Sequence, residues 1–384
     1  MVLRDFFKKP ISSYFTVTLV VFLSTFILWL PFILRANNWL GLKIENSNFQ
    51  YIYKHYDGPL YIIPAKTLYE QSKIDIPGSG FILSLPLTPK YFAAHLPLYP
   101  ILIRIFAHIF GYLKSMIFVN ILATVILANL FYFVLKRFKM SQNPLLLTIV
   151  FLFLPRFLVV RSVGSPESLF ILLILSSLLF FEKNNFLLAG LFGGLATMTK
   201  IPGILLFPAY VLVLAEKLIK EKKIDFRTIY LLLIPFGLLA VFFLYQKQFS
   251  DFFAYFHTGG VVPMPYPFSV FNSSAKWVGT AWLEEIVLYF FLYTFSVISL
   301  AHIKQRSFFY FSLVFLAATT FVQHRDISRY ALPLWPFACM ALEKLFTSKK
   351  FLIALLIILP ALYLYAWNFC LQNIVPISDW SPFL

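Results

Sequence analysis

The sequence predicts an all-α polytopic membrane protein that crosses the bilayer about eleven times. Apolar residues make up 60% of the chain and charged residues only 12%, whereas soluble domains carry roughly 25% charged residues. Apolar runs of about 20 residues recur from end to end, each long enough to cross roughly 30 Å of hydrocarbon. These runs are continuous and do not alternate with a period of two, so helices are favoured over a closed β-barrel.

The first apolar run, residues 11–34, is too long for the apolar region of a signal peptide and lacks a small-residue cleavage site. We therefore interpret it as a retained signal anchor. Arg4, Lys8 and Lys9 precede it, and basic residues before a first helix hold the N-terminus in the cytoplasm. The first helix is predicted to run outward over residues 12–34.

Residues 35–113 are predicted to form a long first outer loop, because this stretch is rich in Tyr, Pro, Gly and Asn. It contains two amphipathic pieces, at 58–72 and 96–112, which we expect to be juxtamembrane helices. The second piece is a possible span, but it is short and carries Arg104 and a histidine. A span there would place the basic residues 136–139 outside and invert every later basic loop, so we predict an interfacial helix.

The remaining apolar runs predict ten more helices, with a second outer loop at 248–283. The predicted helices lie at 114–136, 143–161, 166–182, 186–200, 203–219, 227–247, 284–303, 307–323, 330–346 and 350–371. The short basic loops then face the cytoplasm, as the positive-inside rule requires, and the odd number of spans places the C-terminus outside. Because no internal repeat or composition boundary is detectable, residues 1–384 are expected to form one transmembrane domain.

The net charge of +16 does not indicate nucleic-acid binding, because the basic residues cluster in short gaps between apolar runs. Cys339 and Cys370 lie in or beside apolar runs without CxxC spacing, so we expect small buried side chains. His55, His95 and His324 are too scattered to favour a metal site. No Walker A or GxGxxG motif is present, and the sequence predicts no cofactor.

Polar groups are costly in lipid, so the places where they gather point to function. They gather on the predicted outer side, and the candidates are His55, Asp57, His95, Arg104, Arg156, Arg161, Glu167, Lys200, His324, Arg325, Asp326 and Arg329. A carboxylate can act as a general base toward a hydroxyl group. Arginine and lysine can hold a phosphate and stabilise the charge on a departing one. The combination predicts an enzyme that uses a lipid-phosphate sugar.

Each candidate also has a purely structural interpretation, which the residues alone leave open. Asp57 is followed by glycine, and Asp-Gly is a strong turn signal. Arg325 and Arg329 could pair with Asp326, or anchor to lipid phosphate, instead of binding substrate. Glu167 in Ser-Pro-Glu-Ser is typical of the first turn of a helix, where an acidic side chain is stabilising. Lys200 could be a residue that snorkels to the membrane interface.

Four ordered segments resemble the motifs of GT-C glycosyltransferases, most closely the glycosylphosphatidylinositol mannosyltransferase (PIG-V) family and its prokaryotic relatives. We call them the first to fourth motifs. They are Tyr56-Asp57-Gly58-Pro59-Leu60-Tyr61, His95-Leu96-Pro97-Leu98-Tyr99-Pro100, Ser165-Pro166-Glu167-Ser168-Leu169-Phe170 and Arg329-Tyr330-Ala331-Leu332-Pro333. The third is followed by a stretch rich in Gly and Ala, from Ala189 to Gly203, that contains Lys200.

The resemblance implies a GT-C fold with a long first outer loop that carries two juxtamembrane helices. It implies that Asp57 is the catalytic acid/base, and that a sugar, typically mannose, moves with inversion from a polyprenyl-phosphate donor to a lipid or glycan acceptor. The expected phosphate ligands are Arg325, Arg329, Lys200 and Arg161. The other expected substrate contacts are His55, Tyr56, His95, Arg104, Glu167, His324 and Tyr330. The site would lie on the non-cytoplasmic face of a multi-pass protein, in the cell membrane if the source is prokaryotic.

Three alternatives remain open at this point. A transporter or flippase of lipid-linked sugars would use the same cations on the same phosphate, although no internal repeat supports it. A scaffold subunit could keep the fold without catalysis. A GT-C enzyme could also use another lipid-phosphate sugar, such as arabinose or an amino sugar.

Overall fold

The chain is almost wholly helical where its computed structural model describes it. The described residues are 10–44, 48–55, 57–74, 88–223, 225–258, 263–272, 283–375, 377, 380 and 383–384. They divide into two compact units: unit 1 comprises Met1–Leu172 and Glu343–Leu384, and unit 2 comprises Leu173–Leu342. The single transmembrane domain over 1–384 stays a prediction. Arg4, Lys8, Lys9 and Tyr56 lie outside the described residues.

Unit 1 begins with a long apolar helix, α1 (Pro10–Ile33). Large apolar side chains such as Phe15, Phe22 and Phe26 are exposed on it, as expected of a helix that faces lipid. Its buried face carries the polar residues Ser24 and Thr25. These hydroxyl groups become partners for a residue of the candidate site.

Short elements form the first outer loop of unit 1. They are the hairpin β1 (Asn38–Trp39) and β2 (Leu42–Lys43), then α2 (Gln50–Tyr53), a 3₁₀ turn (Pro59–Tyr61), α3 (Ile62–Thr67), α4 (Gln71–Ile74) and a second 3₁₀ turn (Pro89–Ala94). The juxtamembrane helix predicted at 58–72 is therefore broken. It ends at Thr67 because Leu68 and Tyr69 adopt left-handed backbone conformations, with φ of 50° and 66°.

The second juxtamembrane piece forms α5 (Leu98–Phe110), which Gly111 separates from α6 (Tyr112–Arg137). Gly111 has a φ of +74°, a conformation that glycine adopts without the steric cost that other residues incur. The 13 residues of α5 extend about 20 Å, which is short of the roughly 30 Å of a hydrocarbon core. This length agrees with the predicted interfacial helix, whereas the 26 residues of α6 suffice to cross.

The helix predicted at 143–161 is two helices, α7 (Pro144–Phe151) and α8 (Pro155–Val160). The prediction of one helix is wrong because Pro155 lacks an amide proton and its ring obstructs the preceding turn. α7 begins where the Asn143 side chain accepts a hydrogen bond from the Leu146 amide at 3.3 Å. The next helix of the chain is α9 (Glu167–Glu182).

Unit 2 continues the chain with seven helices among its described residues. They are α10 (Phe186–Thr199), α11 (Leu206–Glu221), α12 (Leu233–Phe249), α13 (Leu283–Ser299), α14 (Arg306–Thr320), α15 (Ile327–Tyr330) and α16 (Trp335–Ala341). 3₁₀ turns lead into α11 and α12, at Ile201–Leu205 and Phe226–Leu232. Between α12 and α13, the described part of the predicted second outer loop contains two further 3₁₀ turns.

The helix predicted at 330–346 is also broken, into α15, a 3₁₀ turn (Leu332–Leu334), α16 and α17 (Glu343–Phe346). Pro333 and Pro336 interrupt the run of amide donors, which explains the short pieces. The chain then returns to unit 1 with α17 and the long helix α18 (Lys349–Gln372). Ser348 caps the start of α18, because its hydroxyl accepts a hydrogen bond from the Phe351 amide at 3.2 Å.

Five described helices are long and apolar enough to cross a membrane, so the chain is a multi-pass integral membrane protein. They are Ser12–Ile33, Tyr112–Arg137, Ile201–Glu221, Phe226–Phe249 and Lys349–Gln372. Shorter apolar helices lie at Leu98–Phe110, Phe186–Thr199 and Leu332–Ala341. The count of about eleven spans and the sidedness stay predictions.

Candidate functional site

Asp57 lies in a tight turn between α2 and the first 3₁₀ turn of unit 1. The Gly58 amide donates to the His55 carbonyl oxygen at 2.8 Å, so Asp57 occupies the third position of a β-turn. The turn interpretation of Asp-Gly is thus confirmed, and it does not conflict with a catalytic role. Asp57 is half-buried, and Tyr56 lies outside the described residues.

The first motif contacts the segment that precedes the third motif. A Cβ atom on Gly58 would lie 3.0 Å from the Gly164 carbonyl oxygen and 3.2 Å from the Met116 Sδ. Side chains larger than glycine would push these backbones apart. The glycine after Asp57 therefore allows the turn to pack directly on the segment before α9, which contains Gly164.

The second motif joins the first through aromatic contacts. The His95 side chain is buried, and its ring meets that of Tyr61 edge to face with 4.7 Å between centroids. The Tyr61 ring packs in the same way on Tyr99, at 5.0 Å. The Tyr69 hydroxyl donates a hydrogen bond to the His95 carbonyl oxygen. His95 is thus held in place by the first motif and by the segment that follows α3.

A hydrogen-bond chain links the second motif to the third. The Tyr99 hydroxyl accepts from the Ser165 amide at 3.0 Å and donates to the Met116 carbonyl oxygen at 2.7 Å. The Ser165 hydroxyl donates to the Glu167 carboxylate, which is buried in the first turn of α9. Three of the four motifs therefore come together in unit 1.

Arg161 is fully buried and is surrounded by neutral acceptors. Its Nη1 donates to Thr25 Oγ1 at 3.0 Å and its Nη2 to Ser24 Oγ at 2.8 Å. Its Nε donates to the Leu152 carbonyl oxygen at 3.2 Å. In this structure the guanidinium cross-links α1 to the turns around α8, and these partners engage all three of its nitrogen atoms. Its predicted role as a phosphate ligand stays a prediction.

Arg104, predicted to touch substrate, has a structural task in unit 1. Its Nη1 donates to the carbonyl oxygens of Ala65 and Lys66, at 3.0 and 2.8 Å. These carbonyls lie in the last turn of α3, where helices leave acceptors without partners. The Lys66 ammonium lies 5.3 Å from the Tyr112 ring centroid, and partial burial lowers the pKa of Lys66.

A second buried arginine lies beside the turn that carries Asp57. The Arg156 guanidinium stacks on the Phe369 ring at 4.0 Å from its centroid. The same ring lies 5.6 Å from the ring of His55, and both Arg156 and His55 are buried. Phe369 belongs to α18, and no sequence signal connected this helix to the first motif.

In unit 2 the fourth motif gathers with Lys200. The Lys200 Nζ lies 5.9 Å from the Tyr330 ring centroid, and the Tyr330 and His324 rings are 4.9 Å apart. The Asp326 amide donates to His324 Nδ1 at 3.0 Å, so a neutral His324 carries its proton on Nε2. Arg329 is half-buried, and Arg325 is exposed.

We call Lys200, His324, Arg325, Arg329 and Tyr330 the unit 2 basic cluster. The Arg329 amide donates to the Asp326 carbonyl oxygen at 2.9 Å. Lys200 itself follows α10 in an extended conformation, and the next residues form a 3₁₀ turn. The cluster combines positive charge with aromatic faces, a combination that suits a phosphate carried on an apolar chain. Across the described residues, no group of three or more His, Cys, Asp or Glu side chains could hold a metal ion.

Comparisons with known proteins bear on the family and the fold. The family model of dolichyl-phosphate-mannose-protein mannosyltransferases matches residues 94–245, which is less than half of the chain. Among solved structures, the chain is similar to the oligosaccharyltransferase of Archaeoglobus fulgidus tethered to an acceptor peptide, with a TM-score of 0.56 and 13% identity. That match covers 98% of this chain and 57% of the other.

A second similar structure is the oligosaccharyltransferase AglB of the same organism, in complex with an inhibitory peptide and a dolichol-phosphate. Its TM-score is 0.55 at 14% identity, covering 97% of this chain and 57% of that one. The apo form of the A. fulgidus enzyme has a TM-score of 0.50 and 16% identity, with coverages of 94% and 56%. The chain thus spans a little over half the length of these enzymes. No curated protein sequence matches it.

Proposed function

Because this chain has the fold of an archaeal oligosaccharyltransferase and a mannosyltransferase family model matches residues 94–245, we propose that it is a GT-C glycosyltransferase. It would transfer a sugar from a polyprenyl-phosphate donor to a lipid or glycan acceptor. The sugar is proposed to be mannose. The observation that carries the proposal is that three motifs, one of which contains Asp57, contact one another in unit 1. A family match described by dolichyl-phosphate-mannose and a structural neighbour that binds dolichol-phosphate support the class of donor.

In the proposed reaction Asp57 is the general base. Its carboxylate takes the proton of the acceptor hydroxyl, and the hydroxyl oxygen attacks the anomeric carbon from the face opposite the phosphate. The bond between that carbon and the phosphate oxygen breaks, and the polyprenyl phosphate leaves with the bonding electrons. The configuration at the anomeric carbon is thereby inverted. The half-buried carboxylate in a short turn suits this task, because it is held by backbone and still accessible.

The unit 2 basic cluster is proposed to bind the leaving phosphate. Lys200, Arg329 and Arg325 supply fixed positive charge, which stabilises the negative charge that develops on the phosphate. The Nε2 proton of a neutral His324 adds a donor, and Tyr330 offers a face between Lys200 and His324. In unit 1, the buried Glu167 is proposed to accept a hydrogen bond from a sugar hydroxyl, and His55 and His95 to line the same region.

The test is transfer by the purified protein in lipid nanodiscs. We expect release of polyprenyl phosphate from labelled polyprenyl-phosphate mannose, by transfer or by slow hydrolysis, and no release with Asp57→Asn. Cleavage of another sugar donor from a panel would keep the chemistry and correct the sugar. Movement of intact donor from one leaflet of a proteoliposome membrane to the other, without cleavage, would instead show a flippase.

A further inference from the structure

The turn that carries Asp57 is paired with the end of the chain. His55 forms an antiparallel bridge with Ile374, and the Val375 amide donates to the Lys54 carbonyl oxygen at 2.9 Å. Val375 is 2% exposed, so this hydrogen bond is shielded from water. The bridge lies two residues before Asp57 and two residues after the end of α18.

The segment behind this pairing is anchored to α1. The Tyr363 hydroxyl donates to the Ser24 carbonyl oxygen at 3.0 Å, and Trp367 Nε1 donates to the Leu28 carbonyl oxygen at 2.9 Å. Both bonds are buried. The C-terminal part of α18, from Tyr363 onward, is therefore attached to α1, and the paired segment follows directly from this attached part.

Phe369 extends the contact between α18 and the turn. Its ring lies 5.6 Å from the His55 ring and 4.0 Å from the Arg156 guanidinium. Stacking of an arginine on an aromatic face is worth more when the cation is desolvated, and Arg156 is buried. His55 is consequently held through its backbone by Ile374 and through its ring by Phe369.

The other end of the turn is held as well. Gly58 packs on Gly164 and Met116, as its close approach to both shows. Asp57 thus lies between two fixed points, one made by the chain end and one by the segment before α9. A general base must lie within hydrogen-bond reach of the proton it removes, and a displacement of about 1 Å can cost roughly 100-fold in rate.

We propose that Phe369, Ile374 and Val375 form a positioning element that holds Asp57 in its catalytic geometry. The proposal rests on the proposed function, because it requires Asp57 to be the base. The element acts through His55 and Lys54 and is not itself catalytic. It predicts a loss of turnover without a loss of donor binding when the pairing is broken.

The test compares Val375→Pro with Val375→Ala in the full chain. Proline removes the amide that donates to Lys54, whereas alanine keeps it. We expect Val375→Pro to lower kcat at least about tenfold with KM for polyprenyl-phosphate mannose unchanged, and Val375→Ala to stay within about twofold of wild type. Phe369→Leu and Phe369→Tyr form a second pair, in which only the leucine variant loses the aromatic face and turnover.

Hydrogen–deuterium exchange gives a readout that does not depend on activity. Faster exchange of residues 54–61 is expected in Val375→Pro and Phe369→Leu, but not in their matched controls. Equal kcat in both members of each pair, or a lowered melting temperature with unchanged kcat and exchange, would overturn the proposal. If Val375→Pro does not fold, the Phe369 pair decides. Wild-type protein inactive on every donor would contradict the proposed function, whereas the exchange result would still test the pairing.

Discussion

Substitution of Gly164 by alanine tests the contact between the first and third motifs. A Cβ atom there would lie 2.5 Å from the Met116 Sδ and 2.7 Å from its Cγ and Cε. Contacts between carbon atoms are optimal at about 3.5–4.0 Å, so Met116 must move by roughly 1 Å. Met116 is completely buried, and its sulfur also lies 3.2 Å from the position of a Cβ on Gly58.

The expected cost of Gly164→Ala is about 1–3 kcal/mol in the free energy of unfolding, the usual range for an overpacked core. The Met116 side chain that must move also packs against Gly58, which follows the proposed base directly. We therefore expect a fall in kcat as well as in stability. Unfolding in detergent micelles measures the first, and sugar transfer at a permissive temperature measures the second.

Met116→Ala provides the control through a double-mutant cycle. It removes the Sδ, Cγ and Cε atoms that the new methyl group would meet, at its own cost of about 2–5 kcal/mol for a cavity. In that background Gly164→Ala should cost nothing or fill part of the cavity. The coupling free energy is then about 1–3 kcal/mol. Additive effects of the two substitutions would refute the packing argument.

Three further predictions concern single side chains. Arg161→Lys should lower the free energy of unfolding by about 1.5–3 kcal/mol, because one ammonium group cannot reach the three diverging acceptors. Thermal unfolding measures this loss. An unchanged melting temperature together with a higher KM for the donor would instead favour the role of Arg161 as a phosphate ligand. Arg104→Ala should cost about 1–3 kcal/mol, since carbonyls at the end of α3 lose their donor; a change confined to donor KM would contradict this. Burial raises the pKa of Tyr255 to about 12, above its ordinary value near 10. Its contribution to stability is present below about pH 10 and is lost as pH rises through about 12. The free energy of unfolding of wild type should therefore fall relative to that of Tyr255→Phe between pH 8 and 12, and a constant difference between the two proteins would contradict this.

The fold class followed from the sequence because only helices and closed β-barrels can cross the hydrocarbon core, and long continuous apolar runs indicate helices. The break before Pro155 was missed because the apolar run continues across it, although the proline itself was a visible signal. The boundary between α5 and α6 at Gly111 was predicted to within a few residues. The charged residues in 96–112 distinguished this segment from the largely uncharged apolar run that follows it. A GT-C fold was predicted from the ordered motifs, and the similarity to the archaeal oligosaccharyltransferase structures confirms the fold.

The site was predictable as a set of residues but not as an arrangement. The motifs indicated Asp57 and Glu167, yet nothing local shows that Tyr61, Tyr99 and Ser165 connect them. Pairing of His55 with Ile374 joins residues far apart in sequence, and such contacts depend on the path of the whole chain. The role of Arg161 was equally open from the sequence. Nothing in the sequence indicates that this side chain is buried or that it donates hydrogen bonds to Ser24 and Thr25 on α1.

The central claim is that Asp57 is the base of a lipid-linked sugar transfer. The most direct measurement is the transfer rate of Asp57→Asn beside Asp225→Asn, with polyprenyl-phosphate mannose at saturation. Asp225 is a suitable control because it is a carboxylate that begins a 3₁₀ turn and binds Arg227. We expect Asp57→Asn to lose about 10²–10⁴-fold in rate while folding and donor KM are kept, and Asp225→Asn to match wild type. A well-folded Asp57→Asn protein that transfers sugar at the wild-type rate would contradict the account.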